Sequence, residues 1–89
     1  MMKVENDINM RFSSIIEEMK EVIINDLKKL REGYSKYKKQ ISKDTGIPID
    51  ILTVILKQLK YEGKIEITVI WNEEKYMPNG SGYRLTDNK

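Results

Sequence analysis

Between residues 35 and 71 the spacing of apolar residues changes from helical to alternating, and a glycine marks each break. Tyr37 and Ile41 stand four apart and share one face of a short helix, with Ser35 as its N-cap. Gly46 sits in the turn that ends this helix, because glycine enters the left-handed backbone region without a Cβ clash. Pro48 follows near the start of the next helix, where its missing N–H costs nothing, and Asp50 in the first turn complements the helix dipole. Leu52, Ile55, Leu56 and Leu59 give that helix a buried stripe, and Gly63 closes it. Then "KIEITVIW" alternates, which places Ile65, Ile67, Val69 and Trp71 on one face of a strand. Either "NEEK" or the longer "NEEKYMPNGSG" connects it to a returning strand at "YRLT".

The N-terminal third reads as a long helix. Phe12, Ile16, Met19, Ile23, Leu27 and Leu30 recur at steps of three and four, and Gly33 follows as a stop. Ser14 and Glu17 form a capping-box pattern that would start the regular helix near residue 14; Asp7 is another candidate start. A second row, Ile8, Ile15 and Val22, repeats every seven residues beside the first. The two rows together make either one wide core face or a core face plus a seam for a second copy. In the second case Ile8, Phe12, Ile15, Met19 and Val22 are the dimer interface. The expected boundaries are a helix within 1–32, a helix-turn-helix at 33–62, a hairpin at 64–86 and a frayed tail at 87–89, with room for a short extra strand near 33–35.

With 89 residues the chain suits one domain with one modest core. No apolar run approaches the roughly 18 residues of a spanning helix, and the N-terminus lacks a signal-peptide pattern, so no membrane partner is expected. The absence of cysteine fits a reducing, cytoplasmic setting. Histidine is also absent, which argues against an enzyme, since it is the commonest general base. Glu17, Glu18, Glu73 and Glu74 have no second catalytic element beside them, and neither metal-ligand spacing nor a phosphate-cradling glycine loop occurs. No catalytic residue, cofactor, metal or small-molecule effector is therefore expected. Isoleucine and lysine, thirteen each, fit an AT-rich genome such as that of an archaeon, a virus or a plasmid.

Net charge is +2, but it is unevenly spread. Residues 28–64 carry ten basic and four acidic groups for +6, while residues 1–27 carry −3 and residues 65–89 carry −1. A local cationic field of this kind attracts phosphate.

The segment 35–65 resembles the winged helix-turn-helix family, whose pattern is close to "LAKxTGLSxxTVSRxLKxLExxGLI". Ile41, Ser42 and Lys43 stand at "LAK", Thr45, Gly46 and Ile47 at "TGL", and Ile51, Leu52, Thr53 and Val54 at "TVSR". Leu56, Lys57 and Leu59 match the end of the helix, Gly63, Lys64 and Ile65 match "GLI", and "GYRLT" at 82–86 resembles a second wing strand. The resemblance implies an α+β fold of three helices and a two-stranded wing, and a homodimeric transcriptional regulator that binds double-stranded DNA. It places the third helix in the major groove, with Pro48, Ile49, Asp50, Thr53, Val54 and Lys57 facing outward. Thr53 and Lys57 would donate to bases, Ile49 and Val54 would meet thymine methyls, and Asp50 would accept from cytosine. Lys36, Lys38, Lys39 and Lys43 would lie over the phosphate backbone, with Ser35 and Thr45 also at the DNA and Lys75 at the wing tip. The rival reading is a protein-interaction module that uses Pro48, Ile49 and Val54 as an apolar patch. Trp71 and Tyr76 are read as core and wing packing rather than as a stacking platform.

Overall fold

Glycine positions and apolar spacing build the helical half of the structure directly. The computed structural model describes residues 2–86, with side chains from residue 12 onward. These residues form α1 (Met2–Lys28), α2 (Lys38–Thr45), α3 (Ile49–Tyr61) and an antiparallel hairpin of β1 (Ile65–Asn72) and β2 (Met77–Leu85). Three helices followed by a two-stranded hairpin make an α+β fold with the layout of a winged helix.

Gly46 adopts φ 78°, and its N–H donates to the Ser42 carbonyl at 2.9 Å, which closes α2 in a left-handed cap. The side chains around it lock the turn: Thr45 Oγ1 donates to the Ile41 carbonyl at 2.7 Å, and Ser42 Oγ donates to the Ile47 carbonyl at 2.6 Å. Gly63, at φ 76°, ends α3 in a Schellman motif, with Gly63 N–H donating to Lys60 O and Lys64 N–H to Leu59 O, both at 3.0 Å. The chain thereby leaves α3 directly into β1. Ile23 and Leu27 of α1, Ile41 of α2, Ile47 of the turn, Leu52, Ile55, Leu56 and Leu59 of α3 and Ile65 of β1 form the buried core. Each fully buried aliphatic side chain of this kind contributes about 1.5–3 kcal/mol relative to exposure.

Several local expectations are corrected. The helix does not start at Ser14 or Asp7: its backbone is already helical at Met2, so Ser14 is an exposed interior position rather than a cap. Nor does α1 reach Gly33. It ends at Lys28, and 3.1 Å and 3.3 Å hydrogen bonds of i,i+3 type carry the chain through Lys29 and Leu30 into a separate turn. Ser35 does not cap α2, which is preceded by Tyr37 without a side-chain cap. Residue 36 instead bridges β2, with Lys36 N–H to Tyr83 O at 2.9 Å and Tyr83 N–H to Lys36 O at 2.8 Å. This isolated bridge stands just past the 33–35 segment that had room for an extra strand.

In β1 the alternation is present, but the face it marks is not an interior one. Ile65 is buried, whereas Ile67, Val69 and Trp71 are exposed, and beyond Ile65 it is the other face, with Thr68 and Ile70, that is half-buried. Trp71, at 60% exposure, and Tyr76, at 88%, are outside the core, so the core role read for them does not hold. The connection is the short one, with the Asn72 side-chain carbonyl accepting from the N–H groups of Glu74 and Lys75. The "YRLT" strand is longer than its pattern and starts at Met77.

The hairpin register shifts once. Val69 pairs with Ser81 and Trp71 with Pro78, so Asn79 and Gly80 face Ile70 alone. Gly80, at φ 97°, absorbs this bulge, and Tyr37 Oη donates to the Asn79 carbonyl at 2.5 Å. Gly82 has a different reason to be glycine: a Cβ there would come within 2.9 Å of Ser35 Cβ and 2.6 Å of Ile70 Cδ1. The residue 35–37 segment can therefore lie against the hairpin, where the Ser35 and Thr68 hydroxyls hydrogen-bond. Ile70 can rotate away from an added methyl, but the Ser35 backbone cannot without opening the bridge. Gly82→Ala is expected to lower stability by about 2 kcal/mol, the usual scale of overpacking. Urea unfolding that shows no loss would contradict the close approach.

Candidate functional site

The surface around the Gly46 turn is built from α2 and α3, and the periodicity of α3 sorts its exposed residues into two groups. Ile49, Thr53 and Lys57 follow one another at i,i+4 and form an outward ridge. Asp50, Ile51, Val54 and Gln58 lie on the side that turns toward α1. The six positions expected to face one groove of DNA therefore do not share one direction. Val54, 65% exposed, lines an apolar groove with α1, and Asp50 stands at its rim. Ile49, exposed by 36%, and exposed Pro48 remain at the N-terminal end of the ridge. Thr53 Oγ1 donates back to the Ile49 carbonyl at 2.8 Å and is left chiefly as an acceptor, whereas Thr45 Oγ1 both donates to Ile41 and accepts from the Ile47 N–H at 3.3 Å within the turn.

The lysines also divide. Lys39, Lys43 and Lys57 are exposed and Lys38 is half-buried, and none of the four has an ion-pair partner among the described residues. Lys75 is exposed at the hairpin tip, beside Glu73 and Glu74. Lys36 behaves differently and corrects the expectation of a phosphate contact. It lies outside α2, its side chain is only 14% exposed, and Nζ donates to Asp26 at 2.7 Å and to Asp44 at 2.5 Å. Its charge is consumed inside the protein, tying α1 to the C-terminal end of α2. Asp26 and Asp44 were not singled out as functional by sequence reasoning. A signal existed for Asp26, which sits between Ile23 and Leu27 within the buried stripe of α1 and so needs a cation.

A second network joins α1 to the end of α3. Lys20, 7% exposed, donates to Glu62 at 2.8 Å and pairs with Glu17 at 3.3 Å. The hydrogen bond to Glu62 raises the Lys20 pKa above its ordinary value, despite the opposing effect of burial. For Lys36, burial acts to lower the pKa, but hydrogen bonds to Asp26 and Asp44 outweigh it and raise the value. Their partners move the other way: Asp44 is lowered by Lys36 and then Gln40, and Glu62 is lowered by Lys20.

These directions fix the pH response. A depressed carboxylate contributes stability above its unfolded pKa, ordinarily 3.8 for Asp44 and 4.5 for Glu62, and loses it as pH falls through the folded value. The raised lysines contribute below 10.5 and lose that contribution as pH rises through their folded values. Thermal stability should therefore plateau between these limits and fall on both sides. Glu62→Gln should flatten the acid limb. Melts from about pH 2.5 to 7 with an unchanged acid slope in this variant would assign that limb to other groups.

The residues expected to form a dimer seam are mostly among the described ones. Phe12, Ile15 and Val22 are exposed and Met19 is half-buried, while the side chain of Ile8 lies outside the described residues. Among the described residues no three acidic, histidine or cysteine groups cluster as metal ligands, and no helix is long and apolar enough to cross a membrane. The chemistry available is thus a basic ridge with a short apolar crest, set on a winged-helix framework. No protein-family model matches the chain, and no curated protein matches it either.

Proposed function

We propose that the protein is a winged helix-turn-helix domain that binds double-stranded DNA as a transcriptional regulator. The observation that carries this reading is the tight Gly46 turn between α2 and α3, with Lys39 and Lys43 exposed on the one helix and Ile49, Thr53 and Lys57 exposed on the other. A ridge of α3 that enters a major groove about 12 Å wide brings α2 over the adjacent phosphates. Lys38, Lys39 and Lys43 neutralise phosphate there, while Lys75 approaches from the hairpin tip. Base contacts are few: Ile49 offers apolar surface to a thymine methyl, Lys57 a donor, and Thr53 chiefly an acceptor. Affinity is therefore largely electrostatic and sequence preference modest.

The test is a fluorescence-anisotropy titration of the full chain against a mixture of duplexes at about 50 and 200 mM salt. Binding that weakens by orders of magnitude between the two salts supports the reading. No binding at the lower salt overturns it. The rival, a protein-interaction surface on α3, draws support from one specific observation, the exposure of Ile49 and Val54 together with Pro48.

A further inference from the structure

The connection between α1 and α2 does not close onto the hairpin. A cleft of about 580 Å³ lies between the end of α1 with its following turn and Arg84, Leu85 and Thr86 at the base of β2. Leu27, Leu30 and Leu85 supply its apolar surface, and Lys28, Arg31 and Arg84 its cations. We infer that this cleft binds a small organic anion, with a flat apolar body against the leucines and a carboxylate or similar oxyanion group on the basic side chains.

Charge is the first argument. Lys28 and Arg31 are exposed and have no ion-pair partner among the described residues, and Glu32 is the one carboxylate among the lining residues described. Arg84 is engaged by Glu66, but through Nε, which leaves its Nη donors to other acceptors. A lone surface cation is well hydrated and needs no partner. Here two arginines and a lysine line one concavity, whose low-dielectric walls concentrate their field, and guanidinium groups suit planar oxyanions.

Shape is the second. The volume falls within the range of about 300–1,000 Å³ usual for small-ligand sites, which combine apolar surface with a few placed polar groups. Leu27 is 2% exposed and belongs to the core, and Leu30 and Leu85 pack against that core, so the floor is a fixed part of the fold. The walls are fixed as well. On one side Tyr34 N–H donates to Arg31 O at 3.0 Å, and Gly33 takes φ 87° within the turn. On the other, Thr86 N–H donates to Lys64 O at 3.1 Å and its hydroxyl to Gly63 O at 2.7 Å, which holds the end of β2 against the end of α3. A bare oxyanion would leave the leucines in water, and a neutral hydrocarbon would leave the cations unused. An anion with an apolar body uses both.

The cleft stands at the opposite end of β2 from the hairpin tip and shares no residue with the proposed DNA contacts, so the inference stands whether or not the domain binds DNA. Its lining comes from residues 27–34 and 84–86, which meet only through the fold. No sequence spacing could mark a small-molecule site of this kind.

Amide NMR spectra of the full chain titrated with 1-naphthoate test it against two comparisons. One is 1-naphthalenemethanol, which keeps the rings without the charge; the other is inorganic phosphate, which keeps a charge without the rings. Naphthoate should give saturable shifts at the amides of Leu30, Arg31, Tyr34, Leu85 and Thr86. The alcohol and phosphate should each bind at least about tenfold more weakly, since each lacks one half of the recognition. Arg31→Gln should weaken naphthoate by about tenfold and leave the alcohol unaffected. Arg31 is exposed, so the fold should be retained, and Lys28→Gln repeats the reading if it is not. Lys39→Gln should change nothing. Equal affinity for naphthoate and the alcohol overturns the anion assignment, and equal affinity for naphthoate and phosphate overturns the apolar one. No saturation at about 10 mM naphthoate, where a millimolar site is mostly filled, overturns the site itself. Shifts confined to the apolar groove between α1 and α3 do the same.

Discussion

Lys36→Ala is expected to destabilise the domain by about 3 kcal/mol, the scale for removing one partner from a largely buried ion pair. The side chain of Asp26 is 9% exposed and would be left without the cation it faces at 2.7 Å. Asp44, more exposed at 39%, would recover much of its hydration and adds less. For a domain of this size the loss corresponds to a fall in melting temperature on the order of 10–20 °C. Urea unfolding should show a lower midpoint with an unchanged slope. Lys39→Ala, at an exposed position, should move stability by less than about 0.5 kcal/mol. Because the penalty is that of an orphaned carboxylate, Lys36→Met combined with Asp26→Leu should recover much of it. Were Lys36→Ala as stable as the wild type, the side chain would be free in solution and again available to phosphate.

The second large effect concerns DNA. In the proposed complex, replacing Lys38, Lys39 and Lys43 together by alanine should lower the slope of log affinity against log salt by about 2.7, roughly 0.9 for each phosphate no longer neutralised. At about 50 mM salt the affinity should fall on the order of a hundredfold or more, and by similar factors for all duplexes, because lysines on phosphates position the domain without reading sequence. Lys36→Ala, measured below its melting transition, should leave the slope unchanged, which separates the internal lysine from the external ones. An unchanged slope in the triple variant would remove α2 from the interface.

The helical framework was legible in the sequence where its determinants are local. Gly46 and Gly63 end helices because the bonds that close them reach back only three to five residues, and their backbone needs positive φ. The α3 stripe of Leu52, Ile55, Leu56 and Leu59 is buried as its spacing required, since that spacing puts all four on one side. Even so, cap residues misled. Ser14–Glu17 has the pattern of a helix start inside an uninterrupted helix, and Ser35 was drawn from a cap into contact with Thr68 by the bridge at residue 36. A short polar side chain suits both roles, and the longer-range partner prevailed.

What the residues determined alone is therefore the order of elements, the turns at Gly46 and Gly63 and the concentration of positive charge in the middle of the chain. Only the tertiary structure decided which of those charges face water. Lys36 meets acids ten residues before and eight residues after it, a meeting that no helical or strand period encodes. It also decided that Val54 faces α1 rather than the outward ridge, and that Ile67, Val69 and Trp71 of β1 lie on the exposed face of the hairpin. A period shows which residues share a face. What that face meets depends on how far the neighbouring element extends, and that is set by packing between segments distant in the chain.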